Sequence, residues 1–320
     1  MDISVILATY KRPEILSRTL ESFCSLKTEN IQWELIIVDN AGDQATNNVV
    51  QKYEKHLPIK FLVETTPGKN NALNSAIPEA KGELFIFTDD DIITDTNWLV
   101  AMWKGMKRWP DYSVFGGKIT AAWPGDPPVW GGNHSLNQSL FALYHLGEKE
   151  KLYSPDDFLP YGGDMAIKKK IFDTGYRFNS NIGPNGSTIY RMGSETDLLK
   201  RLKNDGLIPV YLPNCIVQHQ IRPEQLTKHG LFNRNFRIGF GDFSPDDNMG
   251  RSLFSASLYL WKQLVSSFIR YWLSKANSNH IRAFEYYSKF SRTRGKIFAQ
   301  RAFQIKNQYP FIQKLLQGSI

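Results

Sequence analysis

The sequence predicts an α/β protein built on a mainly parallel sheet, and three observations carry that reading. Short β-branched runs alternate with amphipathic stretches through the first part of the chain, the pattern of successive βαβ units. Polar residues cluster just after the apolar runs, at Thr9, Asp39 and Lys69. The third observation is Thr88-Asp89-Asp90-Asp91, which directly follows Leu84-Phe85-Ile86-Phe87. Three carboxylates at the exit of a buried strand repel one another and resist desolvation, so the position calls for a cation.

Each element can be justified in turn. Residues 3–8 are a β-branched run and form the first strand. Residues 13–26 are expected to be helical, with Pro13 suited to the first turn and Ile15, Leu16, Leu20 and Phe23 at helical spacing. Leu35-Ile36-Ile37-Val38 is a second strand, closed by the turn composition of Asp39-Asn40-Ala41-Gly42-Asp43. A helix over 44–55, a short strand over 59–63 and a helix over 70–78 lead to the strand that ends in the carboxylates. Between 110 and 190 the pattern becomes irregular and rich in Gly, Pro and Trp, with short strands such as 112–119. Long loops of that kind usually build a binding surface. A helix over 195–205 is closed by Gly206, and from about residue 224 the chain is mostly helical. In open α/β sheets ligands sit outside the carboxyl ends of the strands, so Thr9, Asp39, Lys69 and Asp89 to Asp91 should converge on one rim.

Composition narrows the class. Hydrophobic residues make up 42% of the 320, enough for one large domain with an appendage. The two cysteines, Cys24 and Cys215, lie in apolar contexts and are too few for a disulfide framework or a thiolate metal site. They read as reduced core residues, which favours a cytosolic setting. No secretory leader and no apolar run long enough to span a bilayer is expected. Charge is unevenly placed: residues 251–320 hold 12 Lys and Arg against the single acid Glu285, a net +11, so with +8 overall residues 1–250 carry −3.

The ordered motifs resemble glycosyltransferase family 2, the nucleotide-sugar-dependent enzymes of GT-A fold. The matching pieces are Val5-Ile6-Leu7-Ala8-Thr9-Tyr10-Lys11-Arg12, Ile36-Ile37-Val38-Asp39-Asn40, Pro67-Gly68-Lys69-Asn70-Asn71-Ala72-Leu73-Asn74 and the acidic run. Gly162-Gly163-Asp164-Met165-Ala166 and Gly193-Ser194-Glu195-Thr196-Asp197-Leu198 follow. The resemblance implies a Rossmann-like, mixed, mainly parallel sheet with flanking helices and a helical C-terminal extension. It places a catalytic domain at 1–223, with a nucleotide-binding half at 1–110 and an acceptor half at 111–223, and a basic, aromatic-rich region at 224–320.

The resemblance also implies chemistry. A nucleoside diphosphate leaves poorly unless its developing charge is neutralised, which Mn²⁺ or Mg²⁺ on hard oxygen ligands can do. Asp91 is then the metal ligand, with Asp89 on the metal or the ribose and Asp90 close to the donor. His219 is an additional ligand in some relatives, its alternative being a structural histidine. Asp39 corresponds to the family's contact to the base or ribose, with helix capping as its other role. Thr9, Tyr10 and Arg12 line the loop that encloses the base. Lys69 lies where a cation could meet the diphosphate. Glu195 takes the position of the base that deprotonates the acceptor hydroxyl, although the usual Glu-Asp pair is replaced by Ser194-Glu195. Trp123 and Trp130 offer faces for an acceptor sugar, or pack as ordinary core, and Gly163 and Asp164 match a sugar-contacting segment.

The implied reaction is inverting transfer from a nucleotide-sugar, a UDP-sugar by preference, to a saccharide or lipid-linked hydroxyl in cell-surface polysaccharide or glycolipid synthesis. A nucleotidyltransferase fits poorly, because Thr9-Tyr10-Lys11-Arg12-Pro13 is not the Gly-rich loop such enzymes carry, and a silent binding module fits poorly with an intact acidic run and Glu195. The basic tail interleaves aromatics with Lys262, Arg270 and Lys275. It suits either peripheral attachment to the anionic cytoplasmic face of a membrane or packing on protein, including a second copy of the chain. Nucleic acid is disfavoured, since no recognition module accompanies the charge.

Overall fold

The structure, a computed structural model, describes residues 1–28, 30–128, 135–184, 190, 192–243 and 250–308. In chain order its elements are β1 (Ile3–Thr9), α1 (Pro13–Phe23), β2 (Trp33–Asp39), α2 (Gln44–Tyr53), β3 (Ile59–Val63), α3 (Lys69–Ala76), β4 (Leu84–Asp89) and β5 (Ile92–Thr94). There follow α4 (Trp98–Arg108), β6 (Val114–Ala122), α5 (Ser135–Phe141), β7 (Lys151–Leu152), β8 (Met165–Lys168), α6 (Lys169–Asp173), α7 (Ser194–Asn204) and β9 (Val210–Gln220). The last elements are α8 (Pro223–Leu226), α9 (Lys228–Gly241), β10 (Ser252–Leu253), β11 (Ala256–Ser257), α10 (Leu258–Ala276) and α11 (His280–Gln308).

The strand order is β3-β2-β1-β4-β8-β6-β9-β5, with β7 paired to β9. The first four strands are parallel neighbours, whereas β8 runs antiparallel to both β4 and β6. Register aligns the strand ends that matter: Thr9 pairs with Asp39 on one side of β1, and Ala8 pairs with Asp89 on the other.

Alternation along the strands feeds two cores, one on each sheet face. Val5, Leu7, Leu35, Ile37 and Ile86 join Leu16, Leu20 and Phe23 of α1 and Met102 of α4. On the opposite face Ile6, Ile36, Val38, Phe85 and Phe87 join Ala72, Leu73 and Ala76 of α3 and Leu198, Leu199 and Leu202 of α7. Because α3 and α7 share this second core, their N-terminal residues can meet at the same end of the sheet.

Several boundaries differ from the sequence reading. The helix expected to reach residue 26 stops at Phe23, where the chain turns and the Lys27 amide bonds to the Thr96 carbonyl at 2.8 Å. Cys24, expected in the core, is exposed because it lies past the last inward position of α1, while Cys215 is buried. The strand expected over 112–119 runs from Val114 to Ala122, since β9 keeps pairing with it as far as Ala122 and Gln220. The β10–β11 hairpin was not foreseen, because its two-residue turn, Phe254-Ser255, lacks the Asn-Gly chemistry that marks such turns.

Two compact units divide the chain. The first comprises Met1–Pro124, Phe141–Thr188 and Gly193–Ile221 and contains the main sheet. The second comprises Gly125–Leu140, Ile189–Met192 and Arg222–Ile320, and its described part is chiefly α9, α10 and α11.

Candidate active site

The carboxyl ends of β1, β2 and β4 carry the polar residues, and each cation there has specific partners. Lys69 opens α3 after Gly68, whose φ of 134° is a conformation that glycine adopts without strain. Its Nζ donates to Asp89 Oδ1 at 2.5 Å and to Glu195 Oε1 at 2.6 Å. Burial opposes the lysine's charge, but Asp89 and Glu195 outweigh it and push its pKa above the ordinary lysine value. The ammonium therefore remains charged, and it ties the acidic strand end to the start of α7.

Arg12, in the exit loop of β1, donates through Nη1 to Asp90 Oδ1 at 3.2 Å and Asp91 Oδ2 at 3.3 Å. Thr9 Oγ1 donates to Asp90 Oδ2 at 2.7 Å. Asp90 is nevertheless pushed up to about 6, chiefly by burial; Arg12 pulls against this, and the charges of Asp91 and Asp89 add to it. Asp91 Oδ1 faces His219 Nε2 at 3.5 Å, and His219 Nδ1 is 2.6 Å from the Phe141 carbonyl. A carbonyl can only accept, so Nδ1 carries a proton, and Nε2 is the ring nitrogen turned toward the Asp91 carboxylate.

Glu195 is placed by backbone geometry. Gly193 adopts φ 106° before α7, and the Glu195 carboxylate lies over Gly162, where a Cβ would come within 2.3 Å of Oε1. Thr88 Oγ1 donates to the Gly163 carbonyl at 2.7 Å, joining this glycine pair to the strand of the acidic run.

The other expected site residues have these partners. Asp39 is fully buried, and its two carboxylate oxygens accept from the amides of Ala41 at 2.9 Å and Asp43 at 2.6 Å. It holds the β2 exit turn, while Asp43 caps α2. Asp164, expected to contact sugar, is only 1% exposed and accepts from Trp98 Nε1 at 2.9 Å; Oδ2 has no hydrogen-bond partner among the described residues. Burial pushes this carboxyl well above the usual range, with Trp98 opposing. The residue ends the short 3-10 turn Gly162–Asp164 just before β8, where its carboxylate meets the buried Trp98 indole. Trp123 packs edge-on against Phe141 at 5.3 Å, and Tyr10 is exposed. Trp130 lies outside the described residues.

Three positioning residues were missed by the sequence reading. Asn40 donates to the carbonyls of Glu64 and Thr66, both at 2.8 Å, and accepts from the Gly68 amide at 2.7 Å, which fixes the turn that presents Lys69. Thr19 Oγ1 lies 2.7 Å from the Asp90 carbonyl, and Gln220 Nε2 donates to Thr19 Oγ1 at 3.1 Å. Asn40 stood inside a quoted motif and could have been found there. Thr19 and Gln220 carry no sequence signal, since their partners, backbone carbonyls for Thr19 and the Thr19 hydroxyl for Gln220, lie far along the chain.

A mixed, mostly parallel sheet with C-terminal helices and an acidic strand-end turn facing a carboxylate on a later helix defines a GT-A type glycosyltransferase. The chain belongs to glycosyl transferase family 2, whose sequence model matches residues 4–174. It is 22% identical over 242 residues to the succinoglycan biosynthesis protein ExoM of Rhizobium meliloti, covering 75% of this chain and 73% of that protein. It is 32% identical over 109 residues to a poly-beta-1,6-N-acetyl-D-glucosamine synthase of Staphylococcus epidermidis, covering 34% of this chain but only 26% of the synthase. Among solved structures, the mannosyltransferase PcManGT of Pyrobaculum calidifontis, in complex with GDP-Man and Mn²⁺, superposes with a TM-score of 0.60 at 14% identity, covering 94% of this chain and 87% of that one. S. aureus TarS 1-349 superposes with a TM-score of 0.53 at 14% identity, covering 95% and 91%. Identities this low show the shared fold.

Proposed function

We propose that the protein is an inverting glycosyltransferase that moves a hexosyl-type sugar from a nucleotide-sugar, a UDP-sugar by preference, to a hydroxyl of a saccharide or lipid-linked saccharide in cell-surface polysaccharide or glycolipid synthesis. The observation that carries it is the Lys69 bridge, which brings the acidic turn and Glu195 to one rim of the sheet. The relatives act in succinoglycan and poly-N-acetylglucosamine formation, and a TarS structure holds UDP-GlcNAc. We assign the catalytic part to residues 1–223 and the appendage to 224–320.

In this reading Glu195 accepts the proton of the acceptor hydroxyl as its oxygen bonds to the anomeric carbon. The bond from that carbon to the diphosphate oxygen breaks with its electron pair on the leaving nucleotide. Lys69 holds the Glu195 carboxylate over Gly162 throughout. Thr9, Tyr10 and Arg12 border the nucleotide, with Asp89 and Asp90 on the donor's ribose side; Asp39 supports the base-binding loop through its own turn.

Among the described residues no three His, Cys, Asp or Glu side chains converge as a ready-made metal site. Two do suit a divalent cation by donor type: Asp91 Oδ1 and His219 Nε2, a carboxylate oxygen and a ring nitrogen, lie 3.5 Å apart. Asp91 and His219 would hold Mn²⁺ or Mg²⁺, with Asp89 near, and a bound cation would neutralise charge on the departing diphosphate.

A thermal-shift panel of UDP-, GDP- and dTDP-sugars, each with and without Mn²⁺, tests the reading. A shift with a UDP-sugar that grows with Mn²⁺ is expected. No shift with any nucleotide-sugar rejects the assignment of the rim as a donor site.

A further inference from the structure

The second unit contains a helix, α10, that leaves a largely apolar face outside although Leu260 packs inward with Ala256 and Ile297. On α10 the deeply buried positions are Leu260, Ser267 and Ser274, spaced seven apart, and Ser267 is 2% exposed. Polar groups continue this inner seam: Thr293 of α11 donates to Gln263 Oε1 at 3.0 Å, and Gln300 of α11 accepts from the Ser257 amide at 2.9 Å. The outward face instead carries Tyr259, Val265, Ile269, Trp272 and Leu273, with Trp272 50% and Leu273 58% exposed, while half-exposed Phe268 leans on Phe290 of α11. Water alone would favour turning these side chains inward, since each half-exposed apolar side chain forgoes about half of the roughly 1.5–3 kcal/mol that full burial gives. Contiguous apolar surface of this kind marks an interaction site.

A second observation lies beside it. The β10–β11 hairpin turns through Phe254 and Ser255 with φ of 49° and 60°, left-handed values that a bulky aromatic rarely adopts. Phe254 is nevertheless 72% exposed at that tip, next to exposed Leu253. The Trp261 indole donates to the Leu253 carbonyl at 2.8 Å, which joins the tip to the first turns of α10.

Charge selects the occupant. The helix has no Asp or Glu, and its cations Lys262, Arg270 and Lys275 are all exposed, with Lys275 Nζ 4.9 Å from the Trp272 ring centre. Long basic side chains flanking an apolar stripe, with Tyr and Trp among it, match the boundary between lipid headgroups and acyl chains. A self-pairing interface would set these like charges against each other, whereas an anionic lipid surface complements them. No described helix is long and apolar enough to cross a membrane, so the fit is to the plane of the interface.

We propose that the outer face of α10 and the Leu253–Phe254 hairpin tip form one docking surface for an anionic lipid bilayer. The surface is independent of the glycosyltransferase reading, because every residue in it belongs to the second unit.

The test is co-sedimentation of the full chain with phosphatidylcholine vesicles and with vesicles containing phosphatidylglycerol, at low and high salt. The variants are Phe254→Ser with Ile269→Ser and Trp272→Ser, and separately Lys262→Gln with Arg270→Gln and Lys275→Gln. Circular dichroism and light scattering in lipid-free buffer report folding and oligomeric state. Salt-sensitive binding to the anionic vesicles is expected, with a loss of roughly a hundredfold in partitioning for the charge variant, and a loss for the folded apolar variant. Absence of wild-type binding overturns the proposal, as does binding that neither set of substitutions weakens. A lipid-free dimer that the apolar substitutions dissociate, without any vesicle binding, reassigns the face to a second copy of the chain.

Discussion

Lys69 and Glu195, 126 positions apart in the chain, meet in an ion pair of 2.6 Å. The contact exists because α3 and α7 pack their leucine and alanine positions into the same core beneath the sheet. The same ammonium reaches Asp89 at 2.5 Å, so one side chain links the acidic turn to the carboxylate on the later helix. It is a joint on which predictions can be built.

Lys69→Met removes that joint and leaves two carboxylates facing each other. The expected stability loss is about 1–3 kcal/mol by urea denaturation, together with reduced turnover. Lys69→Arg should recover part of both. Unchanged stability and turnover in the methionine variant would show that the bridge has no role in solution.

Glu195→Gln keeps the shape of the side chain but cannot accept a proton. Transfer should fall on the order of 10²–10⁴-fold while donor binding, followed by calorimetry, stays close to wild type. Near-normal turnover removes Glu195 from the mechanism.

Gly162→Ala tests the placement of the same carboxylate without altering it. A Cβ there would meet Glu195 Oε1 at 2.3 Å, and the end of a long side chain can move aside. Turnover should drop clearly, with only a small change in melting temperature. A large stability loss with proportionate activity loss would mean that the glycine serves packing instead.

Asp91→Ala should abolish Mn²⁺-dependent nucleotide binding, read by titration of UDP with and without Mn²⁺. His219→Ala should weaken it, by about 10-fold or more, because the ring nitrogen faces the same carboxylate oxygen. Equal UDP affinity with and without the ion in the wild type would dispose of the metal assignment.

Asp164→Asn gives a pH signature. Burial raises this carboxyl well above the usual range, so the folded state keeps its proton while the unfolded chain releases it above a pKa of about 3.9. Native stability is therefore favoured below that pH and declines as pH rises toward the folded value. Asparagine imitates the neutral acid, so the variant should match wild type near pH 4 and exceed it near neutrality, in melting temperature. A variant less stable than wild type at neutral pH would indicate an ionised carboxylate in the folded protein.

Much of the fold was legible because its determinants are local. The alternation of β-branched runs with amphipathic segments marked β1 to β4 and the helices between them, and the acidic run announced itself at a strand exit. The β10–β11 hairpin escaped, since a turn of Phe254-Ser255 contradicts ordinary turn chemistry. Exposure of Cys24 escaped as well, one residue beyond the last inward position of a helix whose end is set by a distant carbonyl.

The sequence alone determined that this chain carries family 2 motifs in order, that Asp89 to Asp91 and Glu195 stand where those motifs require, and that its net positive charge is confined to the last seventy residues. Tertiary structure decided which side chains meet. Asp39 and Asp164 turned inward because backbone amides and a buried indole lie within their reach, and Lys69 was drawn between two carboxylates by helices sharing one core. The outward apolar face of α10 was equally invisible beforehand. An aromatic and basic composition does not state which face is buried; only packing against α11 revealed that Leu260, Ser267 and Ser274 are inside while Val265, Ile269, Trp272 and Leu273 stay out.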